Sequence, residues 1–177
     1  VINNDGAYTD YASVEAAFEQ RGNEYDPASN PWKAYYNGGC NSSEFADDSC
    51  EYGLVKIKLA FTANRRRDQN KLVLETIPTH LRVIAASYYR DGEQTPLGVS
   101  ESGFRAGVGQ MNEGETITAI AYAVAVGQDE YSEVTARHVA VDSDGEHGTE
   151  LVRDVFVAFK PDGETSYDDV EVQNASY

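Results

Sequence analysis

Hydrophobic and polar residues alternate over much of the chain from residue 54 onward. The clearest case is residues 55–62, where apolar side chains recur at every second position and Lys56 and Lys58 stand between them. This period of two is typical of a strand with one buried and one solvated face. Further strand-like segments follow at residues 71–77, 80–89, 98–108, 115–126, 131–141, 151–160 and 167–172.

Turn-forming residues separate these segments. Asp-Gly or Glu-Gly pairs stand at 91–92, 113–114, 144–145 and 162–163, and such pairs favour tight turns between strands. About eight strands with no helix between them predict an all-β fold, a single antiparallel β-sandwich of immunoglobulin-like or jelly-roll type.

The first 53 residues follow a different pattern. In residues 13–21 apolar side chains recur at helical spacing and Gly22 follows as a stop signal, which predicts one short helix. Residues 23–53 are rich in Asn, Gly, Asp and Pro and predict a long irregular loop. We therefore expect one domain, in which an N-terminal extension (residues 1–53) packs on the sandwich (residues 54–177).

Two cysteines and two sequons favour a location outside the cell. Cys40 and Cys50 lie in a polar stretch, and the sequence has no further cysteine to complete a zinc site. We expect one disulfide that pins the loop, as in proteins of oxidising compartments; two reduced thiols in a cytosolic loop are the alternative. Asn41 and Asn174 begin N-x-Ser sequons and are candidate N-glycosylation sites. Together these features predict a secreted, extracellular or cell-surface protein.

The chain is strongly acidic. It carries 30 acidic and 14 basic side chains, which gives a net charge of −16. Binding to a phosphate backbone requires Lys and Arg, so the charge excludes nucleic acid as a direct partner. The most apolar run, residues 117–126, is too short for a membrane span. Acids dispersed over a folded surface indicate a halophilic protein, and an ordinary acidic secreted protein is the alternative.

The positive charge is concentrated in residues 51–100, which carry eight basic and five acidic side chains. Within this block Arg65, Arg66 and Arg67 are consecutive. A basic patch on an acidic molecule has a complementary partner in another copy, and head-to-tail contact of this kind closes a ring or extends into a filament. The alternative is that these cations neutralise acids of the same subunit.

The sequence contains no common catalytic motif. No GxSxG, HExxH, P-loop or dinucleotide-binding pattern occurs, and we predict that the protein is not an enzyme. We expect no cofactor. Asp142, Asp144 and Glu146 resemble the first half of a calcium loop, which makes calcium a candidate, and a simple hairpin turn is the alternative. His138 and His147 with a nearby aspartate are a further metal candidate, but their spacing matches no specific template.

Trp32, Tyr35 and Tyr36 form an aromatic cluster in the predicted loop. Aromatic side chains anchor protein interfaces, stack on sugar rings, or cover the end of a sandwich. We expect a structural subunit that self-assembles into a pilus-like filament, a surface layer or a virion coat, with the arginine triplet and this aromatic cluster at the subunit interface. The alternatives are a carbohydrate-binding or adhesin module that recognises surface glycans, and a secreted hydrolase.

The acidic composition predicts that folding depends on salt. The Debye length is about 3 Å at 1 M salt and about 30 Å at 0.01 M, so repulsion between carboxylates acts across the whole molecule only at low salt. Circular dichroism over this range should show the strand signal at molar NaCl and its loss at low salt. An unchanged spectrum at low salt would contradict the halophilic hypothesis.

Overall fold

The computed structural model describes the backbone of residues 10–19, 52–63, 65–78, 81–126, 130–142, 145–157 and 167–175. Within these ranges the chain forms one helix and nine strands in two sheets, which confirms the all-β fold class. The elements are α1 (Tyr11–Glu19), β1 (Tyr52–Thr62), β2 (Arg67–Thr76), β3 (Leu81–Arg90), β4 (Glu93–Leu97), β5 (Gly103–Met111), β6 (Thr116–Val126), β7 (Glu130–Asp142), β8 (Gly145–Val157) and β9 (Tyr167–Ala175).

The strands form a five-stranded sheet with the order β4-β3-β6-β1-β9 and a four-stranded sheet with the order β5-β2-β7-β8. Neighbouring strands pair antiparallel, except that β1 and β9 pair parallel. The sequence predicts antiparallel pairing throughout. The difference arises because β9 pairs with a strand far away in the sequence, and no tight turn signals such a pairing.

One apolar cluster lies between the two sheets. The alternating apolar residues of β1 are all buried in it, as their pattern predicts. Because both sheets contribute residues to this cluster, the arrangement is β-sandwich-like. Its members include Val55, Ile57, Leu59, Phe61, Leu72, Leu74, Leu81, Val83, Phe104, Ala106, Val108, Met111, Ile117, Ala119, Ala121, Ala123 and Ala136.

Strand β6 is buried on both of its faces. The alanines at alternate positions from Ala119 to Ala123 belong to the cluster between the sheets. On the opposite face Tyr122 is fully buried, and the rings of Tyr11 and Phe18 in helix α1 each lie 5.5 Å from its ring. The helix therefore covers the outer face of the five-stranded sheet.

Helix α1 begins at an aspartate cap. The backbone N–H of Ser13 donates to Asp10 Oδ1 at 2.9 Å, and the Ser13 hydroxyl donates to Asp10 Oδ2 at 2.9 Å, which satisfies polar groups at the helix N-terminus. Val14 and Phe18, part of the predicted apolar stripe, are buried. The helix begins at Tyr11, two residues before the predicted start, because Asp10 provides the cap.

The sequence pattern does not predict β4. Its side chains are exposed except for that of Leu97, which is partly buried, so no alternation marks the strand. It lies at the edge of the five-stranded sheet, where the missing N–H of Pro96 is tolerated. A short edge strand that contains proline also discourages pairing with a further strand at this edge.

Arg90 joins the two sheets. Its guanidinium donates to the backbone carbonyl oxygens of Val108 and Gln110 in β5, and its Nε lies 2.7 Å from Oε1 of Glu115. Arg90 ends β3 of the five-stranded sheet, whereas β5 belongs to the four-stranded sheet. One side chain therefore fixes the end of one sheet against the other.

The predicted division of the chain at residue 54 stays a prediction. Strand β1 begins at Tyr52, and most of residues 1–53 lie outside the described ranges. Within the described residues, no helix has both the length and the apolar character needed to cross a membrane.

Gly103 is predicted to be essential for stability. A Cβ at this position would lie 1.9 Å from the carbonyl oxygen of Leu74, and its φ of +139° is rarely adopted by other residues. We expect Gly103→Ala to lower the free energy of unfolding by about 2 kcal/mol or more, as measured by urea denaturation. The matched control is Gly107→Ala in the same strand, where a Cβ meets no atom within 4 Å. Equal unfolding midpoints for the two variants would show that the close approach of Gly103 to Leu74 does not determine stability.

Candidate functional site

The outer faces of the two sheets differ in what covers them. Helix α1 covers that of the five-stranded sheet, whereas no described element packs on the outer face of the four-stranded sheet. We call this second surface the open face. Alternate positions of β2, β5 and β7 supply its side chains, which are Lys71, Val73, Glu75, Arg105, Thr135, Arg137 and Val139.

Two arginines flank a valine in one row across the open face. The strand register places Val73 of β2 opposite Arg105 of β5 and Arg137 of β7. Val73 is 3% exposed, whereas the side chains of Arg105 and Arg137 are 70% and 31% exposed. The aliphatic parts of the arginines can thus shield the valine while the charged groups reach solvent.

A pocket lies beside this row. In the adjacent row Lys71 lies opposite Gly107 and Val139, and a hollow of about 340 Å³ lies at this place, where Gly107 presents no side chain. All charged residues in the described part of its lining are basic, and we call it the cationic pocket. The described lining residues are Lys71, Val73, Arg105, Ala106, Gly107, Arg137 and Val139.

Glu75 is the counterion of the two arginines. Its Oε1 accepts from Nη2 of Arg105 at 2.8 Å and from Nη2 of Arg137 at 3.2 Å. One carboxylate therefore faces two guanidinium groups, and Lys71 adds a third cation to the same pocket. The register also places Glu150 of β8 opposite Arg137. Among the side chains that the structure describes here, the three cations Lys71, Arg105 and Arg137 outnumber the one carboxylate, Glu75.

A second hollow of about 390 Å³ adjoins the cationic pocket and shares Arg105 with it. Glu75 lies in its lining, together with Ser100 and Ser102, whose hydroxyl oxygens are 3.2 Å apart. The ion pair between Arg105 and Glu75 therefore borders both hollows, and a change at this pair alters both.

Sequence reasoning missed Arg105 and Arg137. They are the only basic residues among residues 101–150, which carry ten acidic side chains, and the count by segment therefore hides them. Strand pairing brings both next to β2. The usable signal was their position within alternating segments, which places each on a sheet face, but the sequence does not show that these strands are neighbours.

The structure separates the predicted arginine triplet. Arg65 and Arg66 are exposed, and Arg66 lies 3.3 Å from Asp68. Arg67 is only 4% exposed. The register of β2 against β5 shifts between Arg67 and Asn70, which turns Arg67 toward the interior and not toward the face of Lys71. Only the first two arginines are therefore available on the surface of one subunit.

Other cations of residues 51–100 interact within the chain. Arg82 forms an ion pair with Glu101, and Arg90 forms one with Glu115. Lys56 Nζ lies 5.6 Å from the centre of the Phe18 ring. For these residues the geometry matches the alternative in which the basic block serves its own subunit.

Several sequence-predicted features lie outside the described residues and stay predictions. They are the disulfide, the first sequon, the aromatic cluster and one calcium ligand: Cys40, Cys50, Asn41, Trp32, Tyr35, Tyr36 and Asp144.

The backbone of three other predicted site residues is described. Asn174 is the penultimate residue of β9 and pairs with Phe61 of β1. Asp142 ends β7 and pairs with Gly145 at the start of β8, next to Glu146, so the calcium candidate falls at an antiparallel strand connection. In the part of the chain that the structure describes, no three His, Cys, Asp or Glu residues are grouped to hold a metal.

A polar cluster is buried where β2 begins. The Nδ2 of Asn70 donates to the carbonyl oxygens of Arg67 at 3.2 Å and Gly109 at 2.7 Å. Because both amide protons are used, Asn70 Oδ1 is the acceptor for His138 Nε2 at 2.9 Å, which assigns the proton to Nε2. Burial lowers the pKa of His138 below its ordinary value of 6.5, and the charge of Arg67 lowers it further.

This arrangement gives His138 a structural role. Its side chain is fully buried and its ring lies 6.2 Å from that of Phe61. The register places His147 opposite Ala140, two positions along β7 from His138. The described geometry thus accounts for His138 as part of the core, bound to Asn70.

No protein-family model matches the chain, and no curated protein is significantly similar to it. The open face, with its cationic pocket, is therefore the basis for assigning a function.

The buried state of His138 predicts loss of stability at mildly acidic pH. In the unfolded chain His138 takes up a proton as the pH falls below its ordinary pKa of 6.5. In the folded chain its pKa is lower, so it stays neutral over this range. Protonation therefore favours the unfolded chain, and the free energy of unfolding falls as the pH falls. The slope is at most about 1.4 kcal/mol per pH unit. Urea denaturation between neutral and mildly acidic pH in molar salt measures it.

His138→Gln keeps a donor for Asn70 but does not titrate, and should remove this slope. The matched control replaces His80 and His147 with Gln, which leaves His138 as the only histidine and should keep it. A slope that survives His138→Gln and disappears in the control would assign the effect elsewhere.

Proposed function

We propose that the protein is a non-enzymatic structural subunit, secreted or displayed at a cell surface, that assembles with copies of itself. The open face provides one half of the contact between subunits. The observation that supports this proposal is that Lys71, Arg105 and Arg137 line one pocket of a chain whose net charge is −16. A pilus-like filament, a surface layer and a virion coat are the assemblies that such a subunit would build.

Charge complementarity makes a second copy the natural partner. An acidic surface is abundant on every copy, whereas the cationic pocket occupies one defined place on the open face. A contact between two different patches is heterologous. It leaves one unpaired patch at each end of the assembly, so further subunits add until a ring closes or a filament grows. The predicted disulfide of Cys40 and Cys50, and glycans at Asn41 and Asn174, fit an extracellular subunit of this kind.

Salt should favour this assembly. Two copies with a net charge of −16 repel each other at low ionic strength, and at 1 M salt the Debye length of about 3 Å screens this repulsion. Direct ion pairs within a partly enclosed pocket are screened less than exposed pairs. The Arg137 side chain is 31% exposed, which provides such an environment. A brine habitat is therefore part of the proposal.

Charge reversal on the open face should block assembly. We expect Lys71→Glu combined with Arg105→Glu to leave the chain folded but monomeric in molar salt, because both changes put carboxylates where the partner's carboxylates bind. Sedimentation velocity measures the oligomer size, negative-stain microscopy shows polymers, and circular dichroism checks the fold.

The matched control is Arg65→Glu combined with Arg66→Glu, which changes the net charge by the same amount at an exposed place outside the pocket. This control should still assemble. Assembly lost only in the control would move the interface to the arginine pair that the sequence singled out. Wild-type protein that stays monomeric at every concentration in molar salt would refute the proposed function itself.

A further inference from the structure

Glu75 lines the adjoining hollow and binds two of the three cations of the cationic pocket, Arg105 and Arg137, through its carboxylate. Building on the proposed self-association, we infer that the pocket receives an aspartate or glutamate side chain of a second copy. Glu75 holds the two arginines in the isolated subunit and competes with that incoming carboxylate. Glu75 is thus a built-in competitor that weakens the contact between subunits.

Glu75 does not bind either arginine through both of its carboxylate oxygens. Its Oε1 serves both Arg105 and Arg137, at 2.8 and 3.2 Å. The favoured arrangement of a carboxylate with a guanidinium is bidentate, with two parallel N–H···O bonds to one arginine. Glu75 gives Arg105 only one of its carboxylate oxygens. An incoming carboxylate that pairs bidentately with Arg105 therefore makes one hydrogen bond more to that arginine than Glu75 does.

The size of the pocket fits a side chain. Ligand pockets span roughly 300–1,000 Å³, and the cationic pocket, at about 340 Å³, is at the small end. Its lining places Val139, which is partly exposed and suits an aliphatic stem, beside the cations that suit its carboxylate.

The source of the carboxylate follows from composition and access. Each copy offers 30 acidic side chains, and the Arg105 side chain is 70% exposed, so it is reachable by a protein surface. Lys71 is also exposed. A second copy therefore presents the right group at high local concentration as soon as two subunits meet.

The test uses succinate as the probe, titrated at constant ionic strength and followed by the backbone amide signals of Val73 and Gly107. Glu75→Gln keeps the size of the side chain but removes its charge, and should bind succinate roughly tenfold more tightly. Gly107→Leu places an apolar side chain in the hollow, at a position where a Cβ meets no atom within 4 Å, and should bind at least tenfold more weakly. Dimethyl succinate, which has no charge, should not bind.

The variants also separate this inference from the proposed function. Glu75→Gln should assemble at roughly tenfold lower protein concentration than the wild type. Assembly of the wild type with no effect of Glu75→Gln on either readout would refute the inference and leave the proposed function standing. If the protein binds succinate with the expected order of affinities among the variants and yet never assembles, that result would show an anion site and refute the self-association. Unchanged binding in folded Gly107→Leu would show that the anion binds outside the pocket.

Discussion

The burial of one apolar cluster between two sheets is the constraint on which the rest of this structure depends. Small side chains such as Ala121 face that cluster from β6, and the larger Tyr122 therefore points to the opposite side. If the Tyr122 side chain were exposed, its apolar ring would lie in water. Helix α1 covers this face of the five-stranded sheet and buries the ring. The four-stranded sheet carries Lys71, Glu75 and Arg105 on its outer face, and these need no cover. The same apolar burial thus decides which face is left for a partner.

Two register shifts between β2 and β5 decide what the open face displays. The shift between Arg67 and Asn70 removes one arginine from the surface, and after the shift between Asn70 and Lys71 the strand alternates regularly with Lys71 on the open face. Such shifts leave backbone carbonyls without their ladder partners, and the amide of Asn70 satisfies those of Arg67 and Gly109. His138 then fixes the amide from β7. The buried polar cluster therefore holds the strand in the phase that the pocket needs.

The sequence predicts the elements better than it predicts their neighbours. Alternation identifies β1 and its buried residues, and helical spacing identifies Val14 and Phe18, because both signals arise from local periodicity. It does not reveal β4, because the exposed side chains of that strand show no alternation. It also does not reveal the parallel pairing of β9 or the bulge at Asn70, since both depend on contacts between distant segments. The candidate site fails for the same reason: Arg105 and Arg137 become neighbours only through β2. The predicted features in residues 20–51 lie outside the described structure and stay predictions.

In brine, recognition depends on the local arrangement of charged groups and not on the net charge of a sequence segment. At molar salt, with a Debye length of about 3 Å, the sum of charges over a block of residues has little reach, and only groups in direct contact distinguish one surface from another. Arg105 and Arg137 belong to the most acidic part of the chain, yet they flank Val73 and share one carboxylate oxygen. What a neighbouring subunit meets is this local geometry. A strongly acidic protein can thus keep a specific cationic contact without lowering its overall negative charge.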